Sequence, residues 1–291
     1  MPLPLPLHQF APVGPHHLLS KLTPITLGKY HLVLAHDIVE HQKEWRTLLP
    51  PNSLVILDNS IIELGRAVAV QAIVEAYWIL KDSPLNYRIV VVPPEVIDDP
   101  DETNSLFISN HPVLEDKLEP GVEMMYVIQG PGLRGLEKSL SMLWHRLREF
   151  PNLTWVGVPR SLVPECHSRM WATLECFKMK LVHPRLNIHM LGFSDNIQDD
   201  IACTAIPGVA GIDSAVPLRL GQKGQKIDLT YEGDQAGPRG DYWNIPQEMD
   251  IMTLRNIYAF KSAVQRRMSD ETGFTPTLNS KYDGIKGTGQ W

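Results

Sequence analysis

The segment NIHMLGFSDNIQDDIACTAIPGVAGIDSAV, residues 187–216, sets two short apolar runs (187–193 and 209–216) on either side of an amphipathic piece around Asn196–Ala202. The runs lack the strict alternation of a strand with one wet face, so they read as parallel strands covered on both sides. Both end in residues able to do chemistry, Gly192 in one and Asp213-Ser214 in the other.

The same alternation runs through the rest of the chain. Further β-rich runs lie at 30–39, 52–62, 88–97, 122–130 and 153–159. Helical patterns separate them: Ala67–Leu80, then Leu136, Leu140, Leu143, Leu147 and Phe150 at spacings of three and four, then Met170–Leu181. Asp250 is placed to cap a last helix with Ile251, Leu254, Ile257, Tyr258 and Phe260 on its buried side. Seven strands alternating with helices predict a parallel α/β sheet. A weaker eighth strand near Thr23–Leu27 completes a (β/α)8 TIM barrel. The rival is a doubly wound open sheet, but no glycine-rich fingerprint follows the first strand, which favours the barrel. The expected division is a Pro-rich N-terminal arm (1–20), a barrel with a C-terminal helix (21–268) and a polar tail (269–291), with 223–246 a long polar loop.

Composition bounds the function. The 291 residues are 43% hydrophobic and 21% charged, which is globular, and no apolar run approaches the roughly 18 residues of a membrane span. The opening lacks the basic and apolar regions of a signal peptide, and Cys166, Cys176 and Cys203 form no CxxC pair. A disulfide scaffold is thereby excluded and a reducing cytoplasm is expected. A net charge of −6 argues against broad polyanion binding, though a local basic face can work inside an acidic protein.

In a barrel, chemistry sits at the C-terminal ends of the strands. Those ends carry His36 and Asp37; Asp58, Asn59 and Ser60; Glu95; Gln129 and Gly130; Gly157; Gly192; and Asp213. Two separated carboxylates suit acid/base work or a nucleophile with a partner acid, and a third with an amide suits recognition of a flat hydrogen-bonding ring. Plainer readings stand beside these: a strand-end Asp also caps the next helix, Gln129 could satisfy a buried backbone group, and Glu95 with Asp98, Asp99, Asp101 and Glu102 reads as a solvated acidic loop.

Ile212-Asp213-Ser214-Ala215-Val216-Pro217-Leu218-Arg219, followed by Gly221 to Gly224, resembles the nucleophile strand and basic loop of the tRNA-guanine transglycosylases. VIQG (127–130) is similar to that family's Val-Gln-Gly strand, LDNS (57–60) to its Thr-Asp-Ser motif, and VVPPE (91–95) sits where a base-recognising Asp is expected. The order and spacing agree over residues 30–225, about two thirds of the chain. Two departures stand out. No cysteine follows Cys203, so the family's zinc site cannot form, and Val156-Gly157-Val158-Pro159 replaces the usual Gly-Gly-Leu. Cys166, His167, Cys176 and His183 do not fit a standard zinc spacing and read as buried thiols and ordinary histidines. A compact chain without the tRNA features resembles most the deazaguanine DNA transglycosylases of phages and bacterial modification islands.

The resemblance implies exchange of guanine in DNA for a free 7-deazaguanine such as the 7-cyano form, in the cytoplasm (the host's if the protein is phage-encoded), with no cofactor, no metal and no membrane. It implies Asp213 as nucleophile and Asp58 as acid/base. Glu95 and Gln129 would read the purine edge, with Asn59, Ser60, Gly130, Gly157, Leu191 and Gly192 shaping the pocket. Arg219, Lys223 and Lys226 would hold phosphates, and Arg134, Lys138, Arg146, Arg148, Lys261, Arg266 and Arg267 either extend that face or are solvated surface. Tyr242 and Trp243 suit base stacking or core packing. The alternatives are a tRNA-guanine transglycosylase and a non-catalytic nucleic-acid-binding barrel subunit.

Overall fold

The computed structural model describes residues 9–160, 169–192, 197–231 and 251–269. Eight parallel strands form one sheet: β1 Gln9–Pro12, β2 Tyr30–Leu34, β3 Leu54–Asp58, β4 Arg88–Val91, β5 Glu123–Val127, β6 Leu153–Pro159, β7 Asn187–Leu191 and β8 Val209–Ser214. The order is β1-β8-β7-β6-β5-β4-β3-β2, so the first two strands in sequence are the last to meet. They lie against each other, which makes a nearly closed (β/α)8 TIM barrel.

Two apolar layers explain the near-continuous apolar strands. Residues such as Leu32, Ile56, Val90, Met125 and Trp155 fill the barrel interior. Their neighbours, such as Val33, Val55, Leu57, Val91 and Val156, pack outward against the helices. The inward parity also carries function: Asp58 follows Ile56 by two, and Asp213 follows Gly211, which pairs with His189.

The eighth strand is not where the sequence suggests. Thr23–Leu27 holds a short helix, Pro24–Leu27, with Thr23 Oγ1 accepting from the Thr26 N–H at 3.3 Å. Thr followed by Pro is an N-cap followed by a first-turn proline, and that local chemistry outweighs the β-branched content. The missing strand is Gln9–Pro12, inside the Pro-rich opening; it pairs from Gln9↔Gly211 to Pro12↔Ser214. Proline is tolerated on a strand whose other side makes no ladder, as β1 is at the edge of the sheet order. Among the described residues the barrel thus takes in Gln9–Pro12, a stretch of the expected arm.

Asp98–Glu102 is not merely an acidic loop. Asp99 caps the helix Pro100–Lys117, its Oδ1 accepting from the Glu102 N–H at 2.9 Å, and Asp101 and Glu102 occupy the first turn, where negative charge meets the helix dipole. The sequence reading has no helix there, because Pro112 sits inside it and polar Thr103 and His111 share its buried face with Phe107 and Leu114. The last helix, Ile251–Ser269, buries Ile257 and Phe260 as expected, and Phe260 stacks on Phe10 of β1 with ring centroids 4.7 Å apart. Ile251 and Tyr258 are exposed instead, and Asp250 lies outside the described residues. Among the described residues no helix is long and apolar enough to cross a membrane.

Candidate active site

A cavity of about 190 Å³ opens at the C-terminal ends of the strands, lined among others by Asp58, Glu95, Gln129, Arg160, Leu191, Gly192 and Asp213. That is smaller than the roughly 300–1,000 Å³ of drug-sized sites, and suits one flat heterocycle.

Asp213 is 7% exposed. Its Oδ1 accepts from the Gly192 N–H at 2.9 Å and from His189 Nε2 at 3.0 Å. Gly192 holds φ +65°, a left-handed conformation that glycine adopts freely and that presents this N–H. No described residue bonds the other carboxylate oxygen. His189, fully buried, meets the Tyr30 hydroxyl with Nδ1 at 2.6 Å. Burial, and then the negative charge of Asp213, holds that phenol well above its usual value. Tyr30 and His189 are absent from the residues expected from sequence, because one opens β2 and the other sits in the middle of β7, away from the strand ends, and both read as core.

Asp58 ends β3, and its Oδ1 accepts from the Ser60 N–H at 2.7 Å. Burial, followed by the charges of Glu63 and Glu95, raises its carboxyl well above the usual range. Glu95 is buried and clamped, with Oε2 accepting from Gln129 Nε2 at 2.9 Å and Oε1 from Asn59 Nδ2 at 3.4 Å. Burial pushes Glu95 up to about 7 against the opposing effect of those two donors. Gln129 Oε1 accepts from the Asp98 N–H at 3.2 Å, so the amide is oriented at both ends.

Asn59, Ser60, Gly130 and Gly157 do not line this cavity. Asn59 also donates to the Pro93 carbonyl at 2.9 Å, and so positions Glu95 from behind. Ser60 is buried with φ +64°, its Oγ accepting from the His36 N–H at 3.4 Å. A Cβ on Gly130 (φ +146°) would lie 2.3 Å from the Gly135 carbonyl carbon, so that glycine serves the approach of the helix Gly132–Glu149, not of a ring. A Cβ on Gly157 would lie 2.6 Å from Leu191 Cδ1, so Gly157 makes room for the side chain that does line the cavity.

The expected cationic face changes. Arg219 is 5% exposed, in the helix Val216–Gln222, which packs against the last helix; it is not placed to hold a phosphate at the surface. Lys223 and Lys226 are exposed. Lys138 pairs with Asp101, Arg146 with Glu149, and Arg148 lies over the Trp144 ring, so these belong to local surface pairs; Arg134 is exposed and Lys261 half-buried near the Thr26 carbonyl. Arg160, which the sequence reading does not single out, lines the cavity. Tyr242, Trp243, Cys166, His167 and the side chains of Arg266 and Arg267 lie outside the described residues. Cys176 and Cys203 are buried, and burial drives both thiols up, Cys203 to about 12.

Behind the cavity, fully buried Arg169 ties three elements together. It donates to the Val158, Leu191 and Gly192 carbonyls at 2.6–3.2 Å and to Asp200 Oδ1 at 3.0 Å. It thereby fixes the peptide whose N–H meets Asp213.

No protein-family model matches the chain, and no curated protein matches it. Among solved structures it is similar to an N-acetylneuraminate lyase from Proteus mirabilis, 11% identical over 88% of this chain and 97% of that one, with a TM-score of 0.44. A putative dihydrodipicolinate synthase family protein from Coccidioides immitis is 13% identical over 92% and 87%, also at 0.44. An enolase protein from the Sargasso Sea environmental genome is 8% identical over 72% of this chain at a TM-score of 0.41, and the chain spans 54% of its length.

Proposed function

We propose that the protein is an enzyme, a DNA-guanine transglycosylase that exchanges guanine for a 7-deazaguanine through a covalent Asp213–deoxyribose ester. The observation that carries this reading is that Asp58, Glu95, Gln129 and Asp213 line one small cavity at the mouth of the barrel.

The target nucleotide leaves the base stack to enter. Asp213, with one oxygen held by two N–H donors, attacks C1′ with the other as the glycosidic bond breaks. Asp58, whose carboxyl burial raises well above its usual range, gives a proton to the departing guanine. The incoming deazaguanine returns a ring N–H proton to Asp58, and the same nitrogen displaces Asp213 from C1′, so two displacements retain the sugar configuration. Glu95 accepts from the purine N1–H and exocyclic amine, while the oriented Gln129 amide meets O6. Adenine would leave both groups mispaired. Arg160, together with exposed Lys223 and Lys226, suits phosphate contact. The described cavity lining holds no lysine, and so no amine for Schiff-base chemistry.

The test is base exchange. Purified protein is incubated with 7-cyano-7-deazaguanine and either duplex DNA or tRNA, and each polymer is digested to nucleosides for mass spectrometry. Deazaguanine in DNA alone is the expected result. Incorporation in tRNA alone would move the activity to the other polymer and keep the roles of Asp213 and Asp58. No incorporation in either would overturn the reading.

A further inference from the structure

The barrel's seam lies between β1 and β2, where no ladder forms among the described residues: β1 pairs with β8 and β2 with β3. The segments that leave the C-terminal ends of these two strands meet around one carboxylate. Asp37, in the helix Ala35–Glu40 after β2, is 2% exposed. Its Oδ2 accepts from Trp45 Nε1 at 3.1 Å and from the His16 backbone N–H at 3.3 Å. Its Oδ1 faces two imidazoles, His16 Nδ1 at 3.2 Å and His41 Nε2 at 3.7 Å.

We infer that His16, Asp37 and His41 form a binding site for a divalent transition ion of the zinc type, which clasps the segment after β1 to the helix after β2 and closes the seam.

Five features carry this. The three donor atoms lie within 4.8 Å of one another. Ligands bound tetrahedrally at about 2.0–2.2 Å stand roughly 3.4 Å apart, and 3.2 and 3.7 Å straddle that value. The two N–H donors on Oδ2 fix the carboxylate plane and leave Oδ1 toward the imidazoles, the outer-shell support that oriented metal carboxylates have. The His16 and His41 rings are in contact, with centroids 3.7 Å apart, and each turns a nitrogen toward the same oxygen, Asp37 Oδ1. The His41 side chain is 39% exposed, which gives an entry path and a position for water as fourth ligand. Two nitrogens and one oxygen favour zinc and its transition-metal neighbours over magnesium or calcium, which take oxygen ligands. These residues are separate from the cysteines of the family's zinc site, which this chain lacks.

The full-length protein, stripped with EDTA, is titrated with zinc chloride by calorimetry and melted with and without zinc, with magnesium in parallel. One equivalent of zinc should bind, and an excess should raise Tm by roughly 5 °C. His16→Ala and His41→Ala should each weaken binding on the order of 100-fold and remove the Tm shift. Asp37→Asn should do the same; because Asp37 is buried and its variant could misfold, the partly exposed His41 provides the decisive substitution. The inference is overturned by absence of a zinc-dependent shift in the unaltered protein, by undiminished one-equivalent binding in both histidine variants, or by an equal shift with magnesium.

Discussion

His189 Nε2 lies 3.0 Å from Asp213 Oδ1, while Nδ1 of the same ring lies 2.6 Å from the Tyr30 hydroxyl. One tautomer satisfies both contacts: the phenol donates to Nδ1, and Nε2–H donates to the carboxylate. The raised Tyr30 phenol keeps its proton at neutral pH, which holds the ring in that tautomer. His189 is thus a positioning residue behind the proposed nucleophile. His189→Phe, which fills the space without a donor, should lower exchange on the order of 10- to 100-fold. His189→Gln, which can donate to the same oxygen, should recover part of that loss at similar Tm. Tyr30→Phe should cost less, because the Nε2–H contact to Asp213 remains. Full activity in His189→Phe would remove the relay from the mechanism.

Asp213 itself should be indispensable. With a covalent ester, unaltered protein trapped with guanine-containing DNA should give a denaturation-resistant adduct. Asp213→Asn keeps the size and the acceptor oxygen for Gly192 but loses the nucleophile. It should form no adduct, and exchange should fall at least on the order of 10³-fold with the fold intact by circular dichroism. An adduct in Asp213→Asn would assign the bond to another residue.

The barrel is legible in the sequence wherever strands are long and apolar on both faces. β6 matches residue for residue at Leu153–Pro159, and β8 ends at the Asp213-Ser214 pair. The strand-end rule likewise brings Asp58, Glu95, Gln129 and Asp213 to one cavity. What stays hidden has a common cause. Gln9–Pro12 is four residues in a proline-rich opening, and only its partner β8 makes it a strand. Tyr30 acts on His189, 159 residues away, His189 on Asp213, 24 away, and Arg169 on Asp200, 31 away, so no local pattern marks them. Gly130 shows the converse: its motif context suggests a ring, but the neighbour that needs it is Gly135.

Glu95 gives a pH dependence with a definite sign. Burial raises its carboxyl from 4.5 to about 7, so between those values the folded protein holds a proton that the unfolded chain has released. Its stabilising protonation is complete below about 4.5 and is lost as pH rises through about 7. Asp58 shares the direction. Urea unfolding at pH 5, 6, 7 and 8 should therefore show the unaltered protein losing more stability across that range than Glu95→Gln, which cannot titrate and still reaches Gln129. Parallel pH curves for the two proteins would show that Glu95 ionises at its ordinary value.

Arg169 links stability to the site. Its guanidinium satisfies three carbonyls at the ends of β6 and β7 and pairs with Asp200, both side chains being almost fully buried at 1% and 0% exposure. Arg169→Ala would take the guanidinium from the buried Asp200 carboxylate, a change that costs about 3–5 kcal/mol. Arg169→Lys would keep the charge but lose the planar fork that reaches Val158, Leu191 and Gly192 together, and so should also destabilise and slow exchange. The informative comparison is the double variant Arg169→Met with Asp200→Leu, which removes both charges. It should regain a good part of the stability lost in Arg169→Ala, yet exchange should stay low, because the Leu191–Gly192 peptide that meets Asp213 loses its anchor on the Leu191 carbonyl. Chemical unfolding and exchange rates on the same three variants separate the two effects. Recovery of activity along with stability would show that Arg169 holds the fold and not the site.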